Sequence, residues 1–290
     1  MRDDVARLIT RAEQLLARLE AVLPTPLAAP DWDEAVAWRY RKRASGHGAL
    51  EAVRHMARMT LDDLREIDAQ KARVVRNTRQ FIAGRGANNV LLTGARGTGK
   101  SSLIKACLNH FCAQGLRLIE VDKSDLVDLP DIVDIVSERP EKFIVYCDDL
   151  SFEEGERGYK ALKSILDGSV AASTPNVLVY ATSNRRHLLP EYMHENLSYR
   201  HSDDGELHPG EVVEEKISLS ERFGLWVSFH PFDQEEYLSI VHKWLMALGA
   251  STEQADGARS EALLWALERG SRSGRVAWQF ARDYVGREAA

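Results

Sequence analysis

The sequence predicts an α/β fold: a five-stranded parallel sheet covered by helices on both faces, followed by a small helical domain. Three observations carry that expectation. Five short apolar runs alternate with helical segments from about residue 60 onward, as in a sheet buried on both sides. The first run passes straight into a glycine-rich turn and then a helix. After Pro231 every segment is helical in its periodicity.

Taken in order, residues 3–23 set Val5, Leu8, Ile9, Ala12, Leu15, Leu16 and Leu19 on one stripe of a helix that needs a partner face. The stretch Leu23-Pro-Thr-Pro-Leu-Ala-Ala-Pro30 is a connector that neither helix nor sheet tolerates. Next, Trp32, Trp38 and Tyr40 lie among Arg39, Arg41, Lys42 and Arg43. Such a cluster either stacks on bases and holds phosphates or docks a tryptophan under the aliphatic stems of its basic neighbours.

The α/β pattern then runs as helix 61–84, strand 89–93, helix 101–111, strand 116–121, helix 129–139, strand 143–147, helix 159–166, strand 177–181 and strand 225–229. Residues 191–216 form a polar insertion rich in turn residues. Helices follow at 233–248, 253–269 and 275–285. The domains expected are 1–59, an N-terminal helical segment with its connector; 60–231, the αβα core; and 232–290, a helical lid.

The turn Gly94-Ala95-Arg96-Gly97-Thr98-Gly99-Lys100-Ser101 is a complete G-x-x-x-x-G-K-[ST] pattern, with Ser102 after it. Its glycines allow the backbone to fold into a nest of N–H donors at a helix N-terminus, which suits phosphate. Lys100 is expected to reach the β- and γ-phosphates and Ser101 to ligate Mg²⁺. The cation needs an acid at the C-terminal edge of the sheet, and the run Phe143-Ile-Val-Tyr-Cys-Asp148-Asp149 supplies one. Asp148 is the expected Mg²⁺ ligand. Asp149 is the expected general base, with Glu153 or Glu154 assisting or replacing its short side chain.

One strand later, Asn184 either orients the attacking water or closes an Asx turn. Arg185 and Arg186 lie near the nucleotide or on the solvated surface. Arg222 is expected to act in trans on a neighbour's γ-phosphate or to form an ion pair within its own chain. Arg275, or alternatively Arg272, is expected to fold over the phosphates from the last helix.

These residues, in this chain order, resemble an AAA+ ATPase: Gly94 to Ser101 match Walker A, Phe143 to Asp149 Walker B, Asn184 sensor 1, Arg222 the arginine finger and Arg275 sensor 2. The segment Leu219-Ser-Glu-Arg222-Phe-Gly-Leu225 resembles the replication-initiator and helicase-loader branch. The strings Cys147-Asp-Asp-Leu-Ser-Phe152 and Ala181-Thr-Ser-Asn-Arg-Arg-His-Leu188 resemble a bacterial AAA+ family labelled only as a domain of unknown function, over residues 45–285. The resemblance implies a P-loop NTPase core with strand order 5-1-4-3-2, a helical lid, ATP with Mg²⁺, and homo-oligomeric ring or filament assembly. Aspartate at 149 departs from the glutamate of that family.

Composition narrows the partners. With 290 residues and a formal net charge of −6, nucleic acid as a partner gains no support from global charge. Three cysteines without C-x-x-C spacing read as reduced core residues of a cytoplasmic protein. No apolar run of about eighteen residues occurs, so no membrane partner is expected. ATP hydrolysis coupled to work on a protein client is the first expectation. A nucleotide-dependent switch or adaptor with little turnover is the alternative. A small-molecule kinase would require an acceptor pocket, and the spacing of Asp148, Asp149 and Asn184 favours water.

Overall fold

The computed structural model describes residues 2–20, 29–42, 48–152, 156–167, 174–185, 188, 200–201, 207–208 and 219–288. Its centre is a seven-stranded sheet made by β1 (Ala37–Lys42), β2 (Gly48–Ala52), β3 (Val90–Gly94), β4 (Leu116–Glu120), β5 (Lys142–Cys147), β6 (Val177–Ser183) and, after an interval, β9 (Leu225–Phe229). Between the last two, β7 (Arg200–His201) and β8 (Leu207–His208) form a separate antiparallel pair. They fall within the expected insertion 191–216, the rest of which lies outside the described residues.

Spatially the sheet runs β2-β1-β4-β5-β6-β3-β9. Its five predicted strands are parallel to their neighbours and, numbered in chain order, follow 5-1-4-3-2. The expectation of five strands is corrected to seven. Strand β1 adds in parallel to β4, and β2 turns back antiparallel on β1. The segment 1–59 is therefore not simply helix and connector, because part of it completes the sheet. Trp38 and Tyr40 of β1 are buried, while Arg39 pairs with Glu120 and Lys42 with Asp128. The aromatic-plus-basic cluster is thus an anchored strand: Trp32 packs edge-on to Trp38 and Phe143.

Helices cover both faces. On one lie α2 (Asp68–Ile82) and α3 (Lys100–Phe111), packed against the face of β3 that carries Val90 and Leu92. On the other lie α4 (Leu129–Val136) and α5 (Arg157–Asp167), whose buried side chains meet Leu91, Val145 and Val179. The single helix expected at 61–84 is instead a 3₁₀ turn, Leu61–Asp63, followed by α2. Between them Glu66 sits at φ 62, in the left-handed region that interrupts a right-handed helix.

The chain after β9 forms α6 (Gln234–Ala247), α7 (Thr252–Gly257), α8 (Arg259–Glu268) and α9 (Gly274–Glu288). The helix expected at 253–269 divides into α7 and α8. Capping boxes start two of these helices: Asp233 with Glu236, and Ser251 with Gln254. Their apolar faces join the cluster that holds α2 and α3, so this unit seats on one side of the sheet. The N-terminal α1 (Arg2–Glu20) exposes Val5, Ile9, Leu15 and Leu16. Among the described residues no helix is long and apolar enough to cross a membrane.

Candidate functional site

Strand register assembles the site. Cys147 pairs with Ala181, and Leu92 with Thr182, so Gly94, Asp148 and Asn184, which follow on three adjacent strands, emerge side by side at the C-terminal edge. The loop from Gly94 to Ser101 covers this edge. Gly94 has φ 123, and a Cβ there would lie 1.9 Å from the Phe229 carbonyl oxygen. Only glycine allows β3 to run that close to β9 and then turn. Gly97 and Gly99 also have positive φ, 74 and 96, and Gly99 leads directly into α3.

Lys100 is buried and points back into the loop. Its Nζ donates to the carbonyls of Gly94 at 2.8 Å and Ala95 at 2.7 Å, and to Asn184 Oδ1 at 3.1 Å. Burial lowers its pKa to about 8, opposed in part by the charges of Asp148 and Asp149, with Arg96 acting in the same direction as burial. Thr98 closes the loop by donating its hydroxyl to the Ala95 carbonyl at 2.8 Å.

Ser101 Oγ donates to Asp148 Oδ1 at 2.7 Å. Burial pulls the Asp148 carboxyl upward, but hydrogen bonds from Thr182 and Ser101 outweigh it and hold its pKa below the usual carboxylate range. Asp149 follows at φ 51 and accepts from Asn184 Nδ2 at 2.5 Å. The amide of Asn184 thus faces Lys100 with its oxygen and Asp149 with its nitrogen.

These groups open on one cavity of ≈ 840 Å³. Arg96, Gly97, Thr98, Gly99, Lys100, Ser101, Ser102, Asp148, Asp149, Thr182, Asn184 and Arg275 line its polar side. Leu64, Ile67, Phe232, Ile240, Trp244 and Trp278 form an apolar wall, with Trp244 and Trp278 edge to face at 4.6 Å. A volume of this size, with one polar end and one apolar wall, lies in the range of small-molecule and cofactor sites. Helix α9 begins against the loop: the Gly274 N–H donates to the Gly97 carbonyl at 2.9 Å, and a Cβ on Gly97 would meet Ser273 Oγ at 2.8 Å.

The donor set fits a hard cation beside phosphate. A hydroxyl and a carboxylate oxygen, already 2.7 Å apart, are oxygen ligands of the kind Mg²⁺ prefers. Among the described residues no group of three or more His, Cys, Asp or Glu is placed to hold a metal by itself. A cation at Ser101 and Asp148 would therefore complete its shell with phosphate oxygens and water, as Mg²⁺ commonly does.

The structure therefore brings together Lys100, Ser101, Asp148, Asp149, Asn184 and Arg275. It does not bring Arg222 to this cavity. Arg222 Nε donates to Asp167 at the end of α5, on the same chain, which is the intramolecular pairing weighed from the sequence. Arg185 is exposed just past β6, and Arg272 is exposed without lining the cavity. Glu153, Glu154 and Arg186 lie outside the described residues. Sequence reasoning missed Thr182 and the apolar wall. The first was detectable only through the register of β5 against β6, and the second comes from helices distant in the chain.

The comparisons agree with this architecture. A family model described as Protein of unknown function (DUF815) matches residues 33–288. No curated protein matches the sequence. Among solved structures, one variant of Thermotoga maritima RuvB superposes with a TM-score of 0.51 at 15% identity, covering 77% of this chain and 63% of that chain. A second RuvB mutant from the same organism gives 0.52 at 15% identity, over 80% of this chain and 67% of that one. The FIGL-1 AAA domain in complex with ADP covers 80% of this chain and 74% of its own at 16% identity, with a TM-score of 0.49. The chain thus spans about 63% of the length of the first RuvB structure. At such identity the likeness to the two RuvB structures shows the fold alone, a mixed α/β arrangement with a parallel sheet covered by helices. With the match extending from residue 33 to residue 288, the chain belongs to the family described as Protein of unknown function (DUF815).

Proposed function

We propose that this protein is a Mg²⁺-dependent AAA+ ATPase that hydrolyses ATP to ADP and phosphate and couples turnover to conformational work on a client. One observation carries the reading: Lys100, Ser101, Asp148, Asp149 and Asn184 converge within hydrogen-bonding distance at the polar end of one cavity. In this reading the loop amides and Lys100 bind the phosphates, and the apolar wall receives the base. Ser101 and Asp148 hold Mg²⁺, which supplies charge neutralisation on the phosphates when bound. Asp149 accepts the proton of the attacking water, and Asn184 orients both that water and the acid. Arg275, at the start of α9, contacts the phosphates and links the C-terminal helices to nucleotide state.

Arg222 completes the site of a neighbouring copy, which makes the active form a homo-oligomer, ring or filament. The segment around it supports a relation to the replication-initiator and helicase-loader branch. The reduced cysteines suit a cytoplasmic setting, and the client is engaged through residues 191–216 or the N-terminal segment. Turnover measured against protein concentration, with light scattering in ADP and in a non-hydrolysable ATP analogue, tests this. Monomers in both states with concentration-independent turnover would remove the trans arginine. Absence of Mg²⁺-dependent turnover at every concentration would remove the ATPase.

A second reading, a nucleotide-dependent switch that recruits a protein or nucleic-acid partner with little turnover, is favoured by two contacts. Asn184 occupies the Asp149 carboxylate, and Asp167 occupies Arg222. Tight ATP binding with negligible turnover in every assembly state would select it.

A further inference from the structure

Thr182 joins the two acids of the site through a single hydroxyl. Its Oγ1 donates to Asp148 Oδ1 at 2.5 Å and accepts from the Asp149 backbone N–H at 3.0 Å. Its carbonyl accepts from the Leu150 N–H at 2.6 Å. Three consecutive residues after β5 are thus tied to one residue of β6. Thr182 is 2% exposed, so water does not readily replace these bonds.

The direction of the bonds is fixed by valence. A hydroxyl has one proton, and an N–H can only donate, so the proton of Thr182 goes to Asp148 and a lone pair receives Asp149. The acceptor lone pair is what Asp149 needs, because its backbone is left-handed at φ 51, a strained conformation that short polar residues tolerate best. That turn aims the Asp149 carboxylate at Asn184. Ser101 already donates to the same Asp148 oxygen and Asn184 to the Asp149 side chain, while the Tyr146 hydroxyl bears on the Asp148 carboxyl from β5.

We propose that Thr182 is a positioning residue for hydrolysis, setting the metal-binding acid and the general base in one fixed relation. This rests on the ATPase reading above. Thr182→Val keeps the branched shape and the strand preference while deleting the hydroxyl. It leaves the Asp149 N–H without its acceptor and the Asp148 carboxylate short of a donor. Thr182→Ser keeps the hydroxyl and loses only a methyl group.

The test compares the native chain with both variants. Thr182→Val is expected to lower kcat by about 10²-fold, the scale of an ångström-level misplacement, with the KM for ATP within about threefold. It is also expected to weaken Mn²⁺ binding to the protein–ADP complex, read by electron paramagnetic resonance, by about tenfold, the lower end for loss of a ligand's supporting bond. Thr182→Ser is expected to recover both to within about threefold of the native protein. Thr182→Ala serves in place of valine if that variant does not fold. Native kcat and native Mn²⁺ affinity in the valine variant would overturn the proposal, as would losses that serine fails to restore. A native protein with no turnover in any assembly state overturns the ATPase reading instead, and the Mn²⁺ measurement then decides the role of Thr182.

Discussion

Asn184 stands between Lys100 and Asp149, accepting from the lysine Nζ at 3.1 Å and donating to the aspartate Oδ1 at 2.5 Å. The amide presents an acceptor and a donor from one planar group. Asn184→Asp replaces the donor with a second acceptor and sets two carboxylates against each other. The expected result is a fall in kcat of about 10²-fold or more with ATP affinity changed by less than about threefold, measured by steady-state kinetics beside equilibrium binding.

Lys100 gives a pH dependence of defined sign. Burial lowers it to about 8, so its ammonium is present below that pH and lost above it. Phosphates favour the charged form, so nucleotide binding should take up a proton and weaken as pH rises above about 8. Calorimetry in buffers of different ionisation enthalpy checks this. In Lys100→Arg the dependence should vanish, because a guanidinium stays charged across this range.

Gly94 and Gly97 both have positive φ but differ in what a side chain would strike. At Gly94 the obstacle is the Phe229 carbonyl oxygen at 1.9 Å; at Gly97 it is Ser273, whose Oγ at 2.8 Å can rotate but whose Cβ at 2.9 Å cannot. Gly94→Ala is expected to destabilise by about 3 kcal/mol. Gly97→Ala should cost more than about 1 kcal/mol, less than Gly94→Ala, while also weakening nucleotide binding. Urea denaturation of both variants, beside a binding assay, separates the two costs.

Asp167 and Arg222 make a partly exposed pair, with side-chain exposures of 42% and 23%. Breaking such a pair should change stability by no more than about 1 kcal/mol. If Arg222 serves a neighbouring copy, Asp167→Asn weakens one of its ties within the chain and raises turnover at fixed protein concentration, whereas Arg222→Ala abolishes the concentration dependence and leaves ATP binding intact. Equal turnover in Asp167→Asn and native protein across a concentration series would show that the pair does not restrain the arginine.

Trp38 tests whether β1 belongs to the core. It is 0% exposed and packs on Trp32 at 4.7 Å. Trp38→Ala should cost about 3–5 kcal/mol in a single transition shared with the nucleotide site. An independent early transition would instead show that the β1–β2 hairpin is dispensable.

The legible parts of the sequence were those where one local rule dominates. Strands β3, β5 and β6 are buried on both faces, so they appear as uninterrupted apolar runs. The glycine loop has a fixed spacing. Strand β1 was hidden because Arg39, Arg41 and Lys42 interrupt it, leaving only Trp38 and Tyr40 to mark the alternation. Strand β2, Gly-Ala-Leu-Glu-Ala, has no β-branched residue at all. The bond from Thr182 to Asp148 joins residues 34 apart in the chain, and the pairing of Arg222 with Asp167 joins residues 55 apart. Neither leaves a local pattern.

The bond from the Gly274 N–H to the Gly97 carbonyl ties the start of α9 to the glycine loop, and the buried Ala277, Phe280 and Ala281 tie α9 to the helices packed on it. Its 15 residues of helix extend about 22 Å at about 1.5 Å per residue. A tilt of about 10° at that bond would sweep the far end by ~4 Å. A small rotation of the loop peptide would thus be carried outward along the whole helical unit rather than spent within the sheet.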